Sequence, residues 1–140
     1  MRYMALDVGD ERIGVALSDE GGLLARPLET IRRAAGSASY ERLREIIEEY
    51  GVEEIVVGLP LSADGSEGKQ VASVRAYVRG MQAHHIQLPI VYWNEYGSTV
   101  RAEQVQIAGG QSRRRRRRRV DAVAAAVILQ GFLDSQRRYV

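Results

Sequence analysis

Between residues 3 and 30 three strand-like segments follow one another with connections too short to hold a helix, and after residue 39 strands alternate with helical stretches. Residues 3–8 read as the first strand, and "RIGVALSD" (12–19) alternates Ile13, Val15 and Leu17 against smaller residues. A third strand, Leu23 to Thr30, follows the Gly21-Gly22 turn. The first connection is built on Gly9-Asp10-Glu11, and two tight turns in succession require an antiparallel meander.

The rhythm then becomes helical. Tyr40, Leu43, Ile46, Ile47 and Tyr50 recur at helical spacing, with Ser39 as the expected N-cap and Gly51 as the stop. "EEIVVGLP" is a short buried strand ending in Gly58-Leu59-Pro60, followed by a polar loop from Ser62 to Gly68 and a helix over Lys69–Ala83. "IVYWNE" is a further strand ending in Glu95, and another helix is expected over Ser98–Ile107. Gly109-Gly110, a charged loop and the alanine-rich "VDAVAAAVILQGFL" complete the order. That last segment is apolar all round, which predicts a buried helix packed closely on a sheet. Helix-linked strands run parallel, so the expected fold is α/β: a mixed five-stranded sheet, three antiparallel strands then parallel ones, flanked by helices.

A chain of 140 residues with 45% hydrophobic content is expected to form a single domain spanning 1–140. No stretch approaches the roughly 20 apolar residues of a membrane helix, and the first residues lack a signal peptide's apolar region. With no cysteine, disulfides and thiolate metal sites are excluded, and the expected compartment is the cytoplasm.

The charge is unevenly placed. Arg113, Arg114, Arg115, Arg116, Arg117, Arg118 and Arg119 are consecutive; of the formal net charge of +2 they carry seven positive charges, which leaves the rest at −5. A mildly acidic body with one dense cationic segment fits a polyanion such as nucleic acid, whose phosphates take guanidinium groups by Coulomb attraction and paired hydrogen bonds. Mutual repulsion predicts a solvated loop that becomes ordered on phosphate.

Three carboxylates stand out against apolar surroundings: Asp7 inside the first strand, Glu95 at the end of the last, and Asp121 at the start of the final helix. Each has an ordinary structural explanation, since Asp121 can cap its helix and Glu95 can face water. Together they fit Mg²⁺ or Mn²⁺, which take oxygen ligands and serve phosphodiester cleavage in pairs.

"ALDVGDERIGVALSD", "VVGLPLSADGSEG", "NEYGSTVRAE" and "VDAVAAAVILQGFLD" resemble the four signature blocks of the YqgF/RuvX family, in family order and across nearly the whole chain. That family comprises RNase H-fold proteins described as pre-16S rRNA nucleases and as Holliday-junction-resolvase-like. The resemblance implies an RNase H-like sheet and a divalent metal, with Asp7, Glu95 and Asp121 as catalytic, metal-holding acids. It also implies precursor 16S rRNA as substrate, with a branched DNA junction as the alternative. A monomer or a homodimer fits this work, the dimer being what two symmetric cuts in a junction would need. One block departs: the family commonly reads Asp-Glu-Arg where this chain has Asn94-Glu95-Tyr96. A non-catalytic nucleic-acid-binding module is the rival that this departure motivates.

Other residues have plainer readings. The first block also resembles the phosphate hairpin of actin-like ATPases, but those duplicate the domain, and no GxxxxGK[ST] loop is present. His84-His85 are expected as surface histidines at a helix end, and Trp93 as packing. Tyr96 is balanced between packing and base stacking, and Asp19 and Asp64 belong to turns. Gly9 and Gly14 are expected to serve backbone geometry, with Gly9 keeping the metal-side face open.

Overall fold

The computed structural model describes residues 1–60, 68–94 and 113–137. Strands β1 (Tyr3–Val8), β2 (Arg12–Ser18) and β3 (Ala25–Arg32) form the antiparallel meander that their short connections require. At the first turn the Gly9 N–H donates to the Arg12 carbonyl at 2.8 Å. A Cβ at position 9 would sit 2.9 Å from that oxygen, so the glycine serves a close backbone approach. β3 lies two residues later than expected: Leu23 and Leu24 are exposed in the turn, where Asp19 accepts both their N–H groups at 2.7 and 3.1 Å.

Helix α1 (Ala38–Tyr50) leads to β4 (Glu54–Leu59), α2 (Lys69–Ala83) to β5 (Ile90–Asn94), and a long helix, α3 (Arg113–Arg137), ends the described chain. The sheet order is β3-β2-β1-β4-β5, with β1, β4 and β5 parallel. Gly51 closes α1 in the left-handed region at φ 65°, as expected. Ser39 is not the cap. Ser37 holds that place, and Ser39 is buried, accepting a hydrogen bond from the Tyr77 hydroxyl at 2.8 Å.

The strand alternation divides the core in two. Met4, Leu6, Val8, Ile55 and Val57 point to the face covered by α1 and α2. Ala5, Ala16 and Val56 point to the other, where Ala125, Ile128, Leu129 and Phe132 of α3 pack on them. Small residues on both sides let α3 lie close to the sheet. Among the described residues, no helix is long and apolar enough to cross a membrane.

Arg113–Arg119, expected as a loop, are instead the first turns of α3, which begins at Arg113. Asp121 is therefore not a cap. It sits two turns inside a helix, where no free N–H remains to be capped. Arginine has high helix propensity, and the alanine-rich segment behind it provides an already docked helix to extend.

Candidate active site

By strand alternation Asp7 belongs to the α3 face with Ala5, and it is half-buried. Its antiparallel partner is Gly14. One residue beyond the Leu6–Val57 pair, Asp7 comes level with Gly58, which is paired with Trp93. Glycine therefore stands opposite Asp7 on both neighbouring strands.

Gly14 also fixes where α3 lands. A Cβ there would lie 1.9 Å from the Asp121 carbonyl oxygen and 2.3 Å from its carbon. Helix backbone thus rests directly on strand backbone, and only glycine permits it. Asp121 therefore lies over β2 at the residue that pairs with Asp7. The structure thereby brings together two of the three acids read from the sequence.

Asp121 already has a cation. Its Oδ2 accepts from Arg12 Nε at 2.6 Å, with the arginine side chain 34% and the aspartate 20% exposed. Nothing in the local sequence pattern pointed to Arg12, because the pair joins residues at opposite ends of the chain. Its place within "GDERIG" was the available hint. A second unforeseen arrangement holds the adjoining turn. Arg33 donates to the Gly9 carbonyl at 3.0 Å and to Ser73 Oγ at 2.8 Å, while Ser73 Oγ donates to Asp10 at 2.8 Å. The β1–β2 turn is thus clipped to α2.

Glu95, Tyr96, Asp64 and the helix expected over 98–107 lie outside the described residues. Asn94 is described: it is exposed, ends β5 and pairs with Leu59. Trp93 packs edge-on against Phe132, centroids 5.8 Å apart, and so belongs to the core as expected. His84 stacks on Tyr40 at 4.3 Å on the opposite side of the sheet, among the α1–α2 packing and away from the acids.

The N-terminal part of α3 runs outward from the site. Asp121 lies on Gly14, and nine residues later Gln130 accepts from the Ala25 N–H at 2.9 Å, so the helix advances away from the Asp7 end of the sheet. In the other direction Arg113 starts about 12 Å beyond Asp121 at the usual helical rise. Seven consecutive arginine positions therefore overhang the end of the sheet that carries the acids.

A mixed five-stranded sheet of this order, closed on one face by a long helix, is of the RNase H-like type. The chain belongs to the family described as "RuvX: Holliday junction resolvase", which matches residues 1–135. It is 49% identical over 135 residues to a "Putative pre-16S rRNA nuclease" of Desulforamulus reducens, covering 96% of this chain and 98% of that one. To the protein of the same description in Moorella thermoacetica it is 50% identical over 134 residues, covering 96% and 95%. Among solved structures, Thermus thermophilus RuvC in complex with a Holliday junction substrate matches with a TM-score of 0.60 at 18% identity, covering 98% of this chain and 96% of that one. The yeast mitochondrial Holliday junction resolvase matches at 0.53 with 9% identity, covering 97% and 79%. These two likenesses establish the RNase H-like fold.

Proposed function

We propose that residues 1–140 act as one metal-dependent nuclease domain that hydrolyses phosphodiester bonds in the 5′ region of precursor 16S rRNA. The observation that carries this reading is the seating of Asp121 on Gly14, the strand partner of Asp7. It supports a site shared by Asp7 of the sheet and Asp121 of the helix packed on that face, a helix that begins with seven arginines.

Carboxylate oxygens on rigid backbone suit Mg²⁺ or Mn²⁺. Asp7 and Asp121 would hold the ion, with Glu95 as the third acid. Such an ion supplies Lewis-acid charge to the phosphate oxygens. The protein's own part is to hold these carboxylates in place and to position the nucleic-acid backbone. Arginine stays protonated at any working pH, so Arg113–Arg119 bind and orient phosphate and take no part as a base.

The test is purified protein with Mn²⁺ or Mg²⁺ on labelled single-stranded RNA, precursor rRNA and a four-way DNA junction. A chelator should abolish cleavage. Asp7→Asn keeps the side-chain shape but removes its charge, so cutting should be lost while binding is nearly retained. Full cleavage by that variant, with contaminating nuclease excluded, removes Asp7 from the site. Glu95→Gln should be equally damaging, because Glu95 is the acid that remains of the family's Asp-Glu pair at positions 94 and 95. Asn94 and Tyr96 favour one rival, a module that binds without turnover. Tight RNA binding with no cleavage under either metal would establish that rival, and Asn94→Asp with Tyr96→Arg would then be the rescue.

A further inference from the structure

Two residues outward from Gly14 along β2, Arg12 stands opposite Arg32 of β3. The Arg33 N–H donates to the Glu11 carbonyl at 2.8 Å, which puts the Arg12–Arg32 pair at a non-hydrogen-bonded position of the ladder. Those are the positions where facing side chains come closest, with Cα atoms roughly 4.5 Å apart. Like charges directly opposite one another are destabilising, and sheets ordinarily avoid them. Both residues share the face of the sheet that bears Asp7, and both lie at the end of it overhung by α3.

Their partners are unequal. Arg12 is held by Asp121 and stands 3.7 Å from Glu11. Arg32 is exposed, and among the described residues its guanidinium meets no acid. Both acids lie on Arg12, so the Arg32 guanidinium across the strand has a positive charge that no described carboxylate offsets. A phosphate diester supplies the offsetting negative charge, with oxygens that fit the arginine fork.

We propose that Arg12 and Arg32 together seat a backbone phosphate of the substrate next to the one that is cut. The Arg12–Asp121 bond is then the contact of the substrate-free state. This deepens the nuclease reading and rests on it: the strand is gripped by the arginine helix on one side and by this cross-strand pair on the other. Arg12, one-third exposed, can turn from Asp121 to an incoming phosphate without unpacking the core.

The test reads binding with a chelator present, so that cleavage does not intervene. Anisotropy of a labelled single-stranded RNA and of a labelled four-way DNA junction is followed across a salt series. Arg32→Ser, at an exposed position, should weaken binding roughly tenfold, the loss of one hydrogen bond to a charged group. The slope of log affinity against log salt should flatten by about 0.7 on RNA, or about 0.9 on duplex arms, for one phosphate released. Arg32→Glu should weaken binding further while leaving the melting temperature equal or higher, because glutamate opposite Arg12 makes a favourable cross-strand pair. Arg12→Lys, which keeps charge but loses the fork, should fall between wild type and Arg32→Ser. The probe whose slope changes more identifies the nucleic acid that occupies the seat.

Unchanged affinity and slope in both Arg32 variants, with wild type binding normally, overturns the phosphate seat and leaves the nuclease reading standing. Weaker binding by Arg32→Glu together with a lower melting temperature overturns it as well, since the pair would then be serving the fold. A wild-type protein that binds neither probe defeats the nuclease reading itself.

Discussion

Gly14 sets the distance between two parts of the chain that are remote in sequence, and it does so by having no side chain. Ala at this position would drive a methyl into the Asp121 carbonyl, 1.9 Å away, and that neighbour is helix backbone that cannot turn aside. Gly14→Ala should therefore cost at least the ~1–3 kcal/mol typical of overpacking, read as a lower urea midpoint at unchanged slope. Cleavage should fall further than the stability loss explains, because the shift moves Asp121 off its place beside Asp7. A variant with wild-type midpoint and rate would show that the helix does not rest on this strand. The example also marks what a sequence can disclose. Asp7 is legible because a carboxylate interrupts an apolar alternation. Glu95 and Asp121 gain meaning only in combination with Asp7 and through the family blocks, since each alone has an ordinary structural explanation. Arg12 is illegible locally: its partner is chosen by how α3 crosses β2, which no window of neighbouring residues encodes.

Helix α3 is where the local reading failed, and the reason is physical. Repulsion among adjacent guanidinium groups argued for a loop, and cations at a helix N-terminus also oppose its dipole. Both penalties are a few tenths of a kcal/mol per contact, and solvent and salt reduce them further. Arginine's helix propensity and a docked alanine-rich continuation outweigh them. The expected order of strands and helices held elsewhere among the described residues, because tight glycine turns and the change from two-residue to helical periodicity are both local signals. The helical run carries a consequence a loop would not. Positions 114, 117 and 118 fall on the same side of α3 as Asp121, whereas 115, 116 and 119 fall on the opposite side. Replacing Arg114, Arg117 and Arg118 with alanine should flatten the salt slope of RNA binding more than replacing Arg115, Arg116 and Arg119. Alanine keeps the helix, so circular dichroism should show no loss in either triple variant. Equal slopes in the two would mean that the arginines act only as a diffuse cloud of charge.

The sheet separates chemistry from much of the stability, with the acids on the α3 side and a tyrosine cluster on the side of α1 and α2. Tyr40 stacks on Tyr77 with centroids 4.6 Å apart, and the Tyr77 hydroxyl donates to buried Ser39. Burial is the main cause that pushes the Tyr77 phenol up to about 12, and the bond to Ser39 offsets it in part. Burial likewise raises the phenols of Tyr40 and Tyr3. In the unfolded chain all three titrate near the ordinary value of about 10. The folded state therefore holds these protons more tightly, and its advantage is complete below pH ~10. As pH rises from about 10 toward 12 the unfolded chain ionises first, so stability must fall across that window. Melting followed against pH should therefore be level on the neutral side and decline above pH ~10. Tyr77→Phe should start from a lower melting temperature, because Ser39 loses its partner, yet decline less steeply. Asp7→Asn, on the other face, should leave the shape of the alkaline limb unchanged. An equally steep decline in Tyr77→Phe would remove Tyr77 as its source and place it with Tyr3, Tyr40 or another group that titrates in that range.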